Sequence, residues 1–183
     1  MSRFILDAKR SVLAIVDMQE RLAAVMDKRE AVYANCGHLV EAARLLDVPI
    51  IVAEQYPKGL GPTAEEIRTA LPAYEPFDKM TFDGCKCDGF IEKLASLDRN
   101  QIILTGMEAH VCVLQTCLGL LNNEYNVHVV ADAICSRKKS DFLCGRELMR
   151  DAGAVITCTE TVLFQLLERS GTPEFKAIVK RIK

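Results

Sequence analysis

Short runs of Val, Ile and Leu alternate along this chain with longer segments whose apolar residues recur at helical spacing. The runs are almost continuously apolar, as expected for strands that are covered on both faces. Strands are predicted at 12–16, 49–53, 101–105, 127–131 and 155–159, with a weaker candidate at 78–81. Helices are predicted at 31–46, 63–71, 88–97, 111–122, 139–152 and 161–170. This order predicts a three-layer α/β fold with a mostly parallel sheet.

Right-handed crossovers place the carboxyl ends of all parallel strands at one edge of such a sheet, where binding crevices form. The chain has 183 residues and contains no linker, low-complexity tract or internal repeat. A chain of this length can bury about two-thirds of its unfolded surface in one core. We therefore expect a single domain over residues 1–183.

The charge distribution limits the kind of partner. The formal net charge is −2, and no run of basic residues exceeds Arg137-Lys138-Lys139. This pattern gives no footprint for nucleic acid or an anionic membrane surface. The N-terminal residues lack the apolar core of a signal peptide, and no stretch approaches the length of a membrane span. We expect a soluble cytoplasmic protein with a small-molecule substrate, and neither nucleic acid nor membrane as a partner.

Eight cysteines occur, several of them inside apolar strand or helix patterns, where free buried thiols are common. The only close pair is Cys85-Lys86-Cys87, which lacks the spacing of zinc knuckles and thioredoxin-like sites. Ordinary free thiols are favoured there over metal binding or redox use.

Cys112 is placed differently from the other cysteines. The predicted strand at 101–105 runs into Gly106, and Cys112 follows at the first turn of an amphipathic helix. Backbone N–H groups at a helix start can hold an oxyanion, and the helix dipole favours a thiolate. The alternative is a small buried hydrophobic residue.

Two charged residues belong to other predicted segments. Asp17 ends the apolar run 12–16, and Lys79 lies between aromatic neighbours at the end of a short middle segment. Asp17 could instead cap a turn, and most lysines are solvated surface charges. A thiol near a carboxylate and an ammonium can become a nucleophile with a proton acceptor beside it.

Three motifs resemble a known family. Val16-Asp17-Met18-Gln19, Phe77-x-Lys79 and Gly106-x5-Cys112-Val113 occur in the order and rough spacing of isochorismatase-like cysteine hydrolases. That superfamily includes nicotinamidases, N-carbamoylsarcosine amidases and isochorismatase itself. The segment from Glu54 to Thr63 looks most like isochorismatase-domain proteins of unassigned substrate.

The resemblance implies a Rossmann-like six-stranded parallel sheet of order 3-2-1-4-5-6 with helices on both faces. It implies that Asp17 takes the proton of Cys112, that Lys79 supports the resulting anion, and that the thiolate attacks an amide or similar carbonyl carbon. It also implies an oxyanion hole made by the backbone N–H groups of Glu108 and Cys112, with a cis peptide at Met107–Glu108. The family commonly assembles, so we expect a homo-oligomer.

The chain departs from the nicotinamidases, which bind a metal through an Asp-x-His pair after strand 2. Here Glu54-Gln55-Tyr56 occupies that position, so we expect no catalytic metal and no cofactor. Isochorismatase itself lacks the cysteine, so Cys112 favours the amidase-type members. Gln19, Tyr56 and His110 are candidates for the substrate pocket, although His110 could equally cap the turn.

The sequence therefore predicts a metal-independent cysteine hydrolase of a small amide, carbamoyl or related C–N compound. Two alternatives remain open at this point. One is a catalytically silent binding or scaffold protein with the same fold. The other is a thiol redox protein, although Cys117 lies about 140° around the helix from Cys112 and is a poor resolving partner.

Overall fold

The computed structural model describes residues 2–182. Six parallel strands form one sheet in the order β3-β2-β1-β4-β5-β6. The strands are β1 (Ser11–Val16), β2 (Ile50–Gln55), β3 (Phe77–Lys79), β4 (Gln101–Met107), β5 (Asn126–Cys135) and β6 (Val155–Thr157). The helices are α1 (Glu20–Ala23), α2 (Arg29–Leu45), α3 (Pro57–Leu60), α4 (Glu65–Arg68), α5 (Phe90–Ser96), α6 (Cys112–Asn122), α7 (Lys139–Asp151), α8 (Thr159–Leu167) and α9 (Pro173–Ile182). The predicted fold class and strand order are confirmed.

The side chains of β1 show why the strands are apolar on both faces. Leu13 and Ile15 pack into one core with α2 and α8, while Val12, Ala14 and Val16 pack into a second core with α5 and α6. Because successive side chains of a strand point to opposite faces, a fully covered strand must be apolar at every position. The sheet is thus the middle layer of three.

Several element boundaries differ from the predicted ones. The helix predicted at 63–71 is a single turn, α4, because Thr63 is held by the Glu54 carboxylate and Pro72 follows closely. The strand predicted at 155–159 ends at Thr157, because Thr159 begins α8 and donates two hydrogen bonds to Asp132. The weak strand candidate at 78–81 is β3, shifted to Phe77–Lys79.

Gly106 sets the approach of β4 to β1. Its φ is 149°, and a Cβ built on it would lie 2.2 Å from the carbonyl oxygen of Val16, its partner in the register. Any side chain here would separate the two strands at their carboxyl ends. Gly106 therefore permits the contact between the segments that carry Asp17 and Cys112.

No helix among residues 2–182 is long and apolar enough to cross a membrane.

Candidate active site

Asp17 follows β1 and is fully buried. Its backbone has a φ of 55°, in the left-handed region that Asp tolerates better than most residues, and its N–H donates to the Ala53 carbonyl at 2.9 Å. The turn out of β1 is therefore tied to β2. This turn places the buried carboxylate at the carboxyl edge of the sheet, within reach of Lys79.

Lys79 is the last residue of β3, and its ammonium reaches across β2 to Asp17. Its Nζ donates to Asp17 Oδ2 at 2.8 Å and to Gln55 Oε1 at 2.7 Å. Gln55 is the register partner of Lys79 on β2, so the two residues lie side by side on neighbouring strands. Both charged side chains are completely buried. A lysine is buried in this way only when it is paired and hydrogen-bonded.

Cys112 is the first residue of α6 and is nearly buried, with 5% of its surface exposed. Its Sγ lies 4.0 Å from Gln55 Oε1 and close enough to the Asp17 carboxylate to interact with it. Asp17 Oδ2 is engaged by Lys79, whereas Oδ1 has no hydrogen-bond partner among the described residues. A buried carboxylate oxygen without a partner, close to a thiol, can accept that thiol's proton.

Burial governs the ionisation of both acids. It raises the pKa of Asp17 above its usual value, and the ammonium of Lys79 opposes the rise. Burial also raises the pKa of the Cys112 thiol to about 12, the charge of Asp17 adds to the increase, and Lys79 opposes it. Burial and the Asp17 charge therefore work against a thiolate at Cys112, and the expectation that the start of α6 favours one stays a prediction.

The turn between β4 and α6 presents two unused donors. The Glu108 carbonyl accepts from the N–H groups of Val111 at 3.0 Å and Val113 at 3.2 Å, and the Ala109 N–H donates to Cys135 at 2.7 Å. Within residues 2–182 the N–H groups of Glu108 and Cys112 donate no hydrogen bond. The expected cis peptide at Met107–Glu108 is wrong, since no peptide bond in the described part of the chain is cis.

His110 is held by neighbours of this turn. Its Nδ1 lies 2.9 Å from Ser136 Oγ and 3.4 Å from Glu108 Oε2, and its Nε2 lies 3.8 Å from Asp141 Oδ2. Arg137 Nε pairs with Glu108 Oε1 at 2.6 Å. Both ring nitrogens of His110 thus face protein groups at the end of β5 and the start of α7. Of the two roles predicted for His110, this placement favours the one at the turn.

Gln19 was predicted to line the pocket, but its side chain is fully buried and occupied by the backbone. Its Nε2 donates to the carbonyls of Gln55 at 3.0 Å and Gly61 at 2.6 Å, and its Oε1 accepts from the Gln55 N–H at 2.7 Å. These bonds close the loop after β2 over the segment after β1. Gln19 therefore holds the backbone of Gln55 in place, and its predicted role in the substrate pocket stays a prediction.

Tyr56 lies at the same edge of the sheet and keeps much of its side chain in solvent, with 47% exposed. Its N–H donates to the Lys79 carbonyl at 2.9 Å, and its ring covers Gly59 so closely that a Cβ there would lie 2.3 Å from the ring. The ring therefore lies beside the segment that carries Lys79, and its predicted pocket role stays a prediction.

Glu54 lies where the nicotinamidases carry a metal ligand, and its carboxylate already accepts hydrogen bonds from the protein. Its Oε1 accepts from the N–H and the hydroxyl of Thr63, each at 2.6 Å, and from the hydroxyl of Tyr74. The described residues hold no group of three or more His, Cys, Asp or Glu side chains that could bind a metal ion. The metal-independent mechanism stays a prediction.

Two residues of the site were missed from the sequence. Gln55 ends β2 as a polar residue at the carboxyl edge, which is the criterion that selected Asp17 and would have selected Gln55 as well. Gly145 on α7 has no local signal. A Cβ built on Gly145 would lie 2.7 Å from the Ala109 carbonyl oxygen and from His110 Cα. The absence of a side chain therefore lets α7 pack closely against the turn between β4 and α6.

The strand order 3-2-1-4-5-6, with a buried Asp–Lys–Cys group at the carboxyl edge, defines a Rossmann-like α/β protein. Residues 11–161 match the isochorismatase domain family. The secreted isochorismatase effector Isc1 of Phytophthora sojae is 40% identical over 179 residues, which covers 94% of this chain and 84% of that protein. The chain belongs to the isochorismatase family.

Solved structures agree with this assignment. The MAR1 ribonuclease of Caenorhabditis elegans superposes with a TM-score of 0.91 at 38% identity, covering 97% of this chain and 92% of that one. The YcaC gene product of Escherichia coli, described as an octameric hydrolase of unknown specificity, has a TM-score of 0.90 at 19% identity, covering 97% and 90%. At that identity the likeness to YcaC shows the fold alone.

Proposed function

We propose that this isochorismatase-family protein hydrolyses a small amide, carbamoyl or related C–N compound through an acyl-thioester on Cys112. The proposal rests on the different hydrogen bonding of the two carboxylate oxygens of Asp17. Lys79 holds Oδ2 at 2.8 Å, and Oδ1 is buried without a hydrogen bond in the described structure. Asp17 is thus an oriented base with a free acceptor next to a thiol.

In the acylation step the substrate carbonyl oxygen is held by the N–H groups of Glu108 and Cys112. Asp17 removes the thiol proton as Sγ bonds to the carbonyl carbon, and Lys79 balances the negative charge. The tetrahedral intermediate collapses when the C–N bond breaks and Asp17 returns the proton to the leaving nitrogen. The raised pKa of Asp17 suits both directions of this proton transfer.

In the deacylation step water attacks the thioester. Asp17 takes one proton from the water and delivers it to the departing sulfur, which restores the neutral thiol. The raised pKa of Cys112 makes the thiol, not a thiolate, the final state of the cycle. Lys79 keeps its proton throughout in this scheme, and Gln55 keeps Lys79 in place by accepting from Nζ at 2.7 Å.

The experiment is a panel of small amides, carbamoyl compounds and ureas, read by release of ammonia or amine. We expect turnover by the wild-type protein, a loss of at least a thousandfold in Cys112→Ala and Asp17→Asn, and full activity in Cys144→Ser, which removes an exposed thiol. Turnover that survives Cys112→Ala would overturn the mechanism. No turnover and no acylation of Cys112 by any compound would favour the scaffold alternative.

RNA should be tested as a substrate in the same experiment, because the C. elegans relative is called a ribonuclease. We propose a small molecule as the substrate, since the net charge is −2 and the side chains of Asp17, Lys79 and Cys112 are almost inaccessible.

We propose a cytoplasmic location, although the P. sojae relative is described as secreted. A homo-oligomer is proposed as well, supported by the octamer described for YcaC, and sedimentation velocity tests it.

A further inference from the structure

The thiol of Cys112 lies next to two charges that balance each other. Lys79 Nζ and Asp17 Oδ2 are 2.8 Å apart, and both side chains are fully buried. Both charges act on the sulfur, because Asp17 raises the pKa of the thiol and Lys79 lowers it. The pair as a whole carries no net charge that would attract an ionic substrate to the thiol.

The three donors of the Lys79 ammonium are taken by protein groups. An ammonium group donates at most three hydrogen bonds. Nζ donates to Asp17 Oδ2 at 2.8 Å, to Gln55 Oε1 at 2.7 Å and to the Thr81 carbonyl at 3.4 Å. A carboxylate or phosphate on a substrate would have to displace one of these partners in order to pair with Lys79.

The cation beside the turn between β4 and α6 is neutralised in a similar way. Arg137 Nε pairs with Glu108 Oε1 at 2.6 Å, and the Glu108 side chain is almost completely buried. The ring of His110 lies 3.4 Å from Glu108 Oε2 and 3.8 Å from Asp141 Oδ2. Lys58, on α3, is exposed to solvent, where salt screens its charge. None of these residues offers an anionic substrate a buried cation without a partner.

The second oxygen of the Asp17 carboxylate acts against an anion. Asp17 Oδ1 is buried and has no hydrogen-bond partner in the described part of the chain. Because this carboxylate acts on the Cys112 thiol, a group bound at the sulfur lies within range of its charge. Like charges repel more strongly where water is excluded. A negative charge on the substrate is therefore disfavoured at this site.

The segments next to the buried pair offer apolar surface. Tyr56 comes directly after Gln55 and has an exposed side chain. Met80 comes directly after Lys79 and is exposed as well. The Tyr56 N–H donates to the Lys79 carbonyl at 2.9 Å, which joins the two segments. Apolar groups around a few polar ones are typical of sites for small molecules.

We propose that the site of Cys112 selects uncharged compounds, and that the substrate is an uncharged amide with an apolar body next to Tyr56 and Met80. The identification of the substrate as an amide rests on the proposed hydrolysis, whereas the selection of charge is testable without turnover. Compounds with a carboxylate, sulfonate or phosphate group close to the reacting carbonyl are excluded.

The test compares two alkylating reagents of nearly the same size. Iodoacetamide is uncharged, and iodoacetate is an anion at neutral pH. In both reactions Sγ of Cys112 bonds to the methylene carbon, iodide leaves and Asp17 takes the thiol proton. Peptide mapping gives both rates at Cys112, and 2-mercaptoethanol, an uncharged thiol, gives the intrinsic ratio of the reagents. We expect the ratio of the iodoacetamide rate to the iodoacetate rate to be about tenfold higher at Cys112 than for 2-mercaptoethanol.

Three variants test whether the named charges and surface are responsible. Asp17→Asn removes the repelling charge and leaves the Lys79 ammonium unbalanced, so the ratio at Cys112 should fall to that of 2-mercaptoethanol or below. Met80→Arg adds a cation beside Lys79 and should lower the ratio about threefold. Leu148→Arg, the matched control at an exposed position near the end of α7, should leave the ratio unchanged. Circular dichroism checks that each variant is folded.

The charge selection is overturned if the two reagents give the same ratio at Cys112 as with 2-mercaptoethanol, or if iodoacetate is favoured. It is also overturned if folded Asp17→Asn protein keeps the wild-type ratio. An unchanged ratio in Met80→Arg overturns the placement of the substrate body next to Met80.

A turnover measurement separates this inference from the proposed hydrolysis. Butyramide and succinamate are four-carbon amides, and succinamate carries a carboxylate at the far end. We expect kcat/KM to be about tenfold higher for butyramide. A preference for succinamate would overturn the inference. Selective alkylation with no turnover of any amide would overturn the hydrolysis and the assignment of the substrate as an amide, and the charge selection would stand.

Discussion

Lys79 Nζ lies 2.8 Å from Asp17 Oδ2 although the two residues are 62 positions apart, and both side chains are fully buried. Such a pair costs several kcal/mol in desolvation per ion before its attraction is counted. Removing one partner leaves an uncompensated buried charge, at a cost of about 3–5 kcal/mol. The pair therefore ties β3 to β1 and opposes the rise that burial causes in the pKa of Asp17.

Lys79→Gln should move the acid limb of the pH–activity profile to higher pH. Burial already raises the pKa of Asp17, and Lys79 is the main influence that lowers it. Without the ammonium the carboxylate is protonated at higher pH, so the base is lost earlier as pH falls. The pH dependence of kcat/KM measures this, with exposed Lys86→Gln as the control. An unchanged acid limb would contradict the assignment of Asp17 as the base.

Gln55→Ala should lower kcat tenfold to a hundredfold. Gln55 Oε1 accepts from Lys79 at 2.7 Å, and a hydrogen bond to a charged group is worth about 1.5–3 kcal/mol. Without it Lys79 loses one of the groups that orient it toward Asp17. Gln115→Ala, an exposed glutamine on the nucleophile helix, is the control. A wild-type kcat in Gln55→Ala would show that the hydrogen bond to Gln55 is not needed to orient Lys79.

His110→Ala should reduce kcat while leaving KM almost unchanged. Both ring nitrogens face Ser136, Glu108 or Asp141, so the residue orients the nucleophile turn and leaves ground-state binding unaffected. Ser136→Ala should lower kcat by a smaller factor. The double variant should lose less transition-state stabilisation than the two single variants lose together. A rise in KM with normal kcat would instead indicate that His110 touches the substrate.

Cys112 should be alkylated by iodoacetamide faster than Cys36 and Cys117. Burial raises the pKa of each of these three thiols to about 12, so without assistance all three should react slowly. Of the three, Cys112 is the one with a carboxylate beside it that can accept the proton. The measurement is peptide mapping in a Cys144→Ser/Cys158→Ser background, which removes the exposed thiols. Equal rates at the three sites, or no effect of Asp17→Asn, would argue against an assisted nucleophile.

Gly106→Ala should destabilise the fold by about 3 kcal/mol or more, since a Cβ 2.2 Å from the Val16 oxygen forces backbone to move. Gly37→Ala is the matched control. It lies inside α2 with no atom within 4 Å of the added methyl group, so it should stabilise the protein by about 0.5–1 kcal/mol. Urea unfolding measures both. A Gly106→Ala protein of normal stability would mean that β1 and β4 tolerate a wider separation.

The alternation of apolar runs with amphipathic segments was enough to predict the three-layer fold, because strands covered on both faces must be apolar at every position. Positions near strand ends made Asp17, Lys79 and Cys112 candidates, because parallel strands end at one edge, and the resemblance of three motifs to a family supplied their predicted roles. The predicted boundaries of α4 were wrong because a side chain outside the helix determines where it begins. The Glu54 carboxylate accepts hydrogen bonds from the N–H and the hydroxyl of Thr63.

The sequence by itself determined the fold class, the edge of the sheet that carries the site and the types of residue gathered there. The tertiary structure decided how those residues are paired. It buried the thiol, which raises its pKa, and it paired one oxygen of Asp17 with Lys79 while the other makes no hydrogen bond within the described residues. It also bonded Gln19 to the backbone and His110 to Ser136. Protonation and orientation depend on desolvation and on groups from several elements, and no local pattern in a chain encodes these.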